Sequence, residues 1–188
     1  MAKFYPELTD ELQDFIRKQH VFFVASAPGG SGRINVSPKG YRSLRIIGHH
    51  CIAYLDFPGS GNETAHHVCE RGDLTLMWCS FDEKPLILRV YCRAEVIGKE
   101  DERFTELMQS LFSEFDKATV RQIFWCGVES AQTSCGMGVP IMEYQQERTA
   151  MMDWAKKMAA QNRLEQYIAD NSERNDQKYP IRPIQPDR

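Results

Sequence analysis

No apolar run in this chain approaches the roughly 20 residues that a helix needs to cross a bilayer, and the N-terminus lacks a basic start followed by an apolar core. A membrane-spanning protein is therefore not expected, and the cytoplasm is the expected compartment. An excess of positive charge is lacking too: 23 Lys and Arg stand against 26 Asp and Glu, a formal net charge of −3. Binding to a phosphate backbone relies on clustered Lys and Arg, so DNA and RNA are not expected as partners. The six cysteines, Cys51, Cys69, Cys79, Cys92, Cys126 and Cys135, include no Cys-x-x-Cys pair and read as reduced thiols. Also missing are a Gly-Lys-Ser/Thr phosphate loop, a dinucleotide fingerprint and the Gly-x-Ser-x-Gly elbow of a serine hydrolase. Histidines come as neighbours, His49-His50 and His66-His67, whose side chains diverge on a strand or a helix, so no metal site is expected.

What remains has the composition of a globular protein, with 42% hydrophobic and 26% charged residues in 188. That length accommodates one domain with a genuine core, here residues 1–140, followed by a helical extension over 141–188. Thr9 is placed to cap a short helix in which Leu8, Leu12, Phe15 and Ile16 recur at helical spacing. Val21 to Ala25 and Ile34 to Ser37 flank a turn-rich stretch and read as a hairpin, with Pro38 expected to end the pairing. Further strands are expected at Leu44 to Ile47, Cys51 to Phe57, Leu74 to Ser80, Leu86 to Ile97 and Gln122 to Gln132. Most connections are too short for parallel crossovers, so the sheet should be antiparallel and should escape its exposed edges by closing into a barrel.

Between Asp101 and Phe115 the residues Phe104, Leu107, Met108, Leu111, Phe112 and Phe115 fall on one helical face, which should pack on that barrel. Glu147 to Asp170 reads as a long helix or a pair broken near Asn162. Three prolines after Tyr179 exclude a helix there and suggest an extended arm. The expected class is mainly β with helices (α+β): a six- to eight-stranded antiparallel barrel with peripheral helices.

Two stretches carry the chemistry. Along Ile34-Asn-Val-Ser the alternation separates Ile34 and Val36 from Asn35 and Ser37, and Lys39 follows at the strand exit, with Arg42 and Arg45 close behind. Downstream, Gly59 and Gly61 permit close backbone approach, Asn62 is a good N-cap, Glu63 to Arg71 can form a short helix, and Gly72 is a fitting stop. The first-turn amides of a helix lack partners and sit at the positive end of its dipole, so a strand end beside a glycine-rich helix start suits a phosphorylated ligand. Flavin mononucleotide (FMN) is the leading candidate.

The segments Asn35-Val-Ser-Pro-Lys-Gly40, Tyr54-Leu-Asp56 and Gly59-Ser-Gly-Asn-Glu-Thr-Ala-His66 together resemble the pyridoxamine 5′-phosphate oxidase-like flavoproteins. The order of elements matches from about Thr9 to Pro140, and Gln132-Thr-Ser-Cys-Gly-Met-Gly-Val-Pro140 resembles a later segment of one branch. The resemblance implies an FMN-binding split β-barrel that works as a homodimer, with FMN at the subunit interface and an oxidoreductase activity on a small molecule. It assigns Asn35, Ser37 and Lys39 to the phosphate and ribityl side, and Leu55 and Asp56 to the neighbouring strand. Asn62, Glu63 and Thr64 fall to the phosphate, with Gln132, Thr133, Ser134 and Cys135 arriving from the other subunit. Asn62-Glu-Thr stands where the true oxidase has Ser-Arg-Lys, which leaves the anion-binding charge to Lys39, arginine or helix amides. The oxidase's C-terminal substrate-binding segment has no counterpart either. A carrier or sensor without turnover, and a barrel using deazaflavin or haem, remain as alternatives.

Overall fold

The computed structural model describes residues 2–173; the arm expected after Tyr179 lies outside them. In chain order the elements are β1 (Lys3–Tyr5), α1 (Asp10–Lys18), β2 (Phe22–Ser26), β3 (Asn35–Lys39), β4 (Leu44–Ile47), β5 (Cys51–Asp56) and α2 (Glu63–Arg71). They continue with β6 (Asp73–Cys79), β7 (Ile87–Gly98), α3 (Glu102–Leu111), a 3-10 turn at Lys117–Thr119, β8 (Gln122–Ser134), α4 (Ala150–Ala160) and α5 (Leu164–Asp170). The strands form one antiparallel sheet in the order β3-β2-β6-β7-β8-β5-β4, with β1 added to the far end of β8. This is an α+β antiparallel barrel, as the strand pattern predicts, and a split one, as the resemblance implies.

Closure of the sheet follows from its ends. β3 and β4 are the outermost strands of the path, joined by only Gly40–Ser43, in which Tyr41 (φ 60°) and Arg42 (φ 50°) take the left-handed conformation. The two edges meet there without a ladder between β3 and β4. The Leu55 amide, on the Ser43 carbonyl at 2.8 Å, carries the β4–β5 pairing one residue further, and Lys39 of β3 reaches Asp56 across the gap.

Alternation sorts the apolar residues into two cores. One fills the barrel, with Phe22, Val24, Ile52, Tyr54, Trp78, Leu88, Val90 and Phe124 among its members and Leu12 and Ile16 of α1 covering one end. The other lies outside, where Ala53, Leu55, Ile97 and Ile123 receive Phe104, Met108 and Phe112 of α3 and its exit. β5 is therefore buried on both faces, which its nearly continuous apolar run requires.

Local chemistry sets the boundaries. The Thr9 hydroxyl accepts from the Leu12 amide at 3.4 Å, as the capping pattern predicts. Gly72 ends α2 at φ +79° with its amide on the Val68 carbonyl, 2.7 Å away. Asn162, at φ 53°, breaks the C-terminal helix into α4 and α5. Pro38 does not end the pairing: β3 runs on to Lys39, with Pro38 opposite Phe23. As an edge strand, β3 tolerates a residue without an amide donor. Arg45 donates to the Leu111 carbonyl at 2.8 Å and stacks over Phe112, which ties β4 to the exit of α3.

All six cysteines are free thiols. Burial, with Cys92 and Glu95 adding to it, pushes the Cys51 thiol up to about 11. Since the thiolate is the nucleophile, Cys51 alkylation by iodoacetamide should be slow at pH 8 and should rise about tenfold per pH unit towards pH 11; peptide mapping against the exposed Cys69 and Cys135 measures this. In Gly72→Ala the new Cβ would stand 2.7 Å from the Arg93 Cδ at a positive φ. Urea unfolding should show a loss of about 1–2 kcal/mol.

Candidate functional site

On β3 the usual arrangement is reversed. Asn35, Ser37 and Lys39 turn inward and are half-buried, while Ile34 and Val36 face outward at 74% and 59% exposure. The inward polar row meets β5, α2 and β8 at the seam between the sheet's two ends. Asn35 Nδ2 donates to Ser37 Oγ at 3.1 Å and to Thr64 Oγ1, on the first turn of α2, at 3.0 Å. Lys39 Nζ donates to Asp56 Oδ1 at 2.7 Å. Gln122 Nε2 bridges Asp56 Oδ2 at 3.0 Å and Asn62 Oδ1 at 2.8 Å.

These contacts change the expected role of Asn62. It stands at the N-cap position, but its side chain makes no capping bond because Gln122 holds it. Asn62 therefore does not cap α2 with its side chain, and the first turn of a helix is a place where an anion can gain from backbone amides.

Arg121 lies beneath this turn. Its NH1 donates to the Gly61 carbonyl at 2.6 Å and its NH2 to the Gly59 carbonyl at 2.8 Å, which fixes the glycine loop on the guanidinium. The residue is 6% exposed, its Nε has no hydrogen-bond partner, and no carboxylate pairs with it among the described residues. Lys39 and Asp56 neutralise one another, so Arg121 is left as buried, uncompensated positive charge. A donor on a charged group contributes about 1.5–3 kcal/mol to a hydrogen bond, against about 0.3–1 kcal/mol for a charge at a helix terminus, so of the two features the guanidinium has the larger capacity to hold an anion.

The structure thus gathers these residues into two hydrogen-bonded groups at the start of α2, Asn35 with Ser37 and Thr64, and Lys39 with Asp56, Gln122 and Asn62, with Glu63 opening α2 between Asn62 and Thr64. Leu55 borders it through its backbone only, its side chain being wholly buried in the outer core. The last four expected residues are not brought there within this chain. Gln132 accepts from the Tyr91 hydroxyl at 2.7 Å, Ser134 from Arg89 at 3.1 Å, and Thr133, Ser134 and Cys135 line a separate groove of about 630 Å³ with Lys3, Tyr5 and Leu86. Ten residues of strand separate Gln122 from Gln132, roughly 30 Å when extended.

Sequence reasoning missed Arg121 and Gln122. Both lie about 60 residues beyond the loop they hold, and only their place just ahead of the apolar run Ile123-Phe124-Trp125 marks them. Among the described residues no three His, Cys, Asp or Glu side chains come together as metal ligands, and no helix is long and apolar enough to cross a membrane.

Comparison with known proteins matches residues 8–134 to the family model described as pyridoxamine 5′-phosphate oxidase. A curated relative, the pyridoxamine 5′-phosphate oxidase family protein ustO of Aspergillus flavus, is 38% identical over 145 residues, which cover 76% of this chain and 58% of the relative. The chain therefore spans little more than half of that protein's length. Among solved structures, HupZ of Group A Streptococcus superposes with a TM-score of 0.55 at 20% identity, covering 68% of this chain and 99% of HupZ. A candidate pyridoxamine 5′-phosphate oxidase from Lactobacillus delbrueckii gives 0.53 at 16% identity, covering 67% of this chain and 93% of its own. These two likenesses support the fold.

Removing Lys39 strands the charge of the buried Asp56; breaking a fully buried pair costs about 3–5 kcal/mol, and the half-buried Lys39 sets the lower end of that range here. Lys39→Met should therefore destabilise the protein by about 3 kcal/mol, and Lys39→Met/Asp56→Asn should recover most of that loss. Chemical unfolding of the wild type, both single variants and the double variant measures the coupling.

Proposed function

The chain belongs to the pyridoxamine 5′-phosphate oxidase family, and from that premise we propose that it binds FMN at the seam and acts as an FMN-dependent oxidoreductase on a small molecule. The observation that carries this reading is Arg121: a buried guanidinium with an orphaned Nε and no carboxylate partner among the described residues, holding the loop that leads to a helix start Asn62 does not cap. A phosphate monoester is a fitting complement. It supplies negative charge to Arg121 and suits the positive end of the α2 dipole, where Asn62, Glu63 and Thr64 lie.

Lys39 completes the reading from the opposite wall. Its ammonium has three donors, of which Asp56 takes one at 2.7 Å, so it can hold a phosphate or ribityl oxygen without leaving the pair. Asn35, Ser37 and Thr64 form the polar floor for the ribityl chain. Gln122 keeps Asp56 and Asn62 oriented. A flavin bound here would supply two-electron transfer at its N5, while the protein supplies orientation and charge.

A second copy of the chain is the partner this reading requires. Ile34 and Val36 show an apolar face to solvent along an edge strand, a liability that association removes. In such a homodimer Gln132, Thr133, Ser134 and Cys135 of one subunit would face the nucleotide held by the other. Six free thiols suit a reducing compartment such as the cytoplasm.

The test uses FMN and riboflavin, which differ only in the phosphate. Arg121→Gln should weaken FMN binding by about tenfold or more while riboflavin affinity stays within about twofold, followed by quenching of flavin fluorescence. An equal change for both flavins, or none for either, removes Arg121 from the phosphate site. Anaerobic mixing of the FMN complex with NADH or NADPH then separates the oxidoreductase from a carrier: bleaching of flavin colour supports turnover.

A further inference from the structure

After β8 the chain runs without regular structure from Cys135 to Thr149 and crosses the face of the barrel beside α1. Two contacts tie this strap down. The Met142 amide donates to the Phe81 carbonyl at 3.0 Å, and the Tyr144 ring lies flat on His20, with 3.6 Å between centroids and 3° between planes. Between the strap and the barrel is a groove of about 550 Å³, walled by Val21, Pro38, Tyr41 and Phe81.

Tyr144 brings two things to this groove, a flat ring and one O–H donor. The ring covers His20, and Glu147, three residues on, lines the same groove. Glu147 keeps Oε1 buried with no hydrogen-bond partner among the described residues, and a buried acceptor left unmet is costly. Charge along the groove is balanced: Lys18, Lys39 and Arg148 against Asp82, Glu143 and Glu147, with Lys39 already held by Asp56. An anion gains nothing here, whereas an N–H donor finds an acceptor waiting.

We propose that this groove is a second binding site, for a planar aromatic molecule bearing an N–H donor, neutral or cationic, whose ring replaces Tyr144 on His20 and whose donor satisfies Glu147 Oε1. Tyr144 then serves as an internal stand-in for the ligand. The site shares Lys39 with the nucleotide cluster and none of that cluster's other residues, so it stands whether or not FMN binds.

Benzamidine and benzoate make the probe pair, since both are flat and of equal size and they differ in donor and charge. In ligand-observed NMR titrations of the protein as purified, benzamidine should bind at least about tenfold more tightly than benzoate. Tyr144→Ala, a change at an exposed position, should tighten benzamidine by about three- to tenfold because nothing then competes for His20. Glu147→Gln should weaken it by about tenfold. Failure of benzamidine to bind either the wild type or Tyr144→Ala overturns the proposal, as does equal binding of the two probes or an affinity indifferent to Glu147→Gln.

Discussion

A curled sheet whose terminal strands do not pair must be closed by something other than a ladder, and here the closure is ionic. Lys39 from one edge meets Asp56 near the other, and Arg121 locks the loop that follows Asp56 into α2. Withdrawing such charges from water costs several kcal/mol for each ion, a loss that apolar side chains of similar size would avoid. Stability is not what this arrangement optimises. The two apolar cores supply the driving force for folding, and the seam spends part of it on buried charge.

The neighbouring oddities follow from that closure. β3 turns its polar face inward because the interior it faces is the charged seam, and its apolar residues are left outside. Asn62 gives up capping because Gln122 needs an acceptor between Asp56 and the loop. Tyr41 and Arg42 adopt left-handed backbone because four residues must carry the chain from one sheet edge to the other. Each device costs a little locally and together they fix the residues around the start of α2, the preorganisation that the proposed binding site requires.

Much of the fold was legible because it is written in short-range periodicity. Alternation and turn residues mark β2 to β8, and the spacing of Phe104, Met108 and Phe112 marks α3. Gly72 and Asn162 mark two helix ends through the backbone they tolerate. β1 escaped notice because it is three residues long with Phe4 facing solvent. Pro38 was misjudged because nothing local says that β3 is an edge. The site was half legible: Asn35, Ser37, Lys39, Asp56, Asn62 and Thr64 sit in recognisable strand ends and a helix start. Arg121 and Gln122 act across about 60 residues of chain, and only the pairing of β5 with β8 brings them in.

The central claim is that the buried guanidinium and the helix start that Asn62 does not cap together grip a nucleotide phosphate. A crystal structure of the protein grown with FMN tests this most directly. The account predicts the phosphate within hydrogen-bond reach of the first-turn amides of α2, with Arg121 beneath it and Lys39 across from it. A phosphate found in the groove of Thr133 to Cys135 and far from any α2 start, or a seam that excludes FMN at saturating concentration, would contradict it.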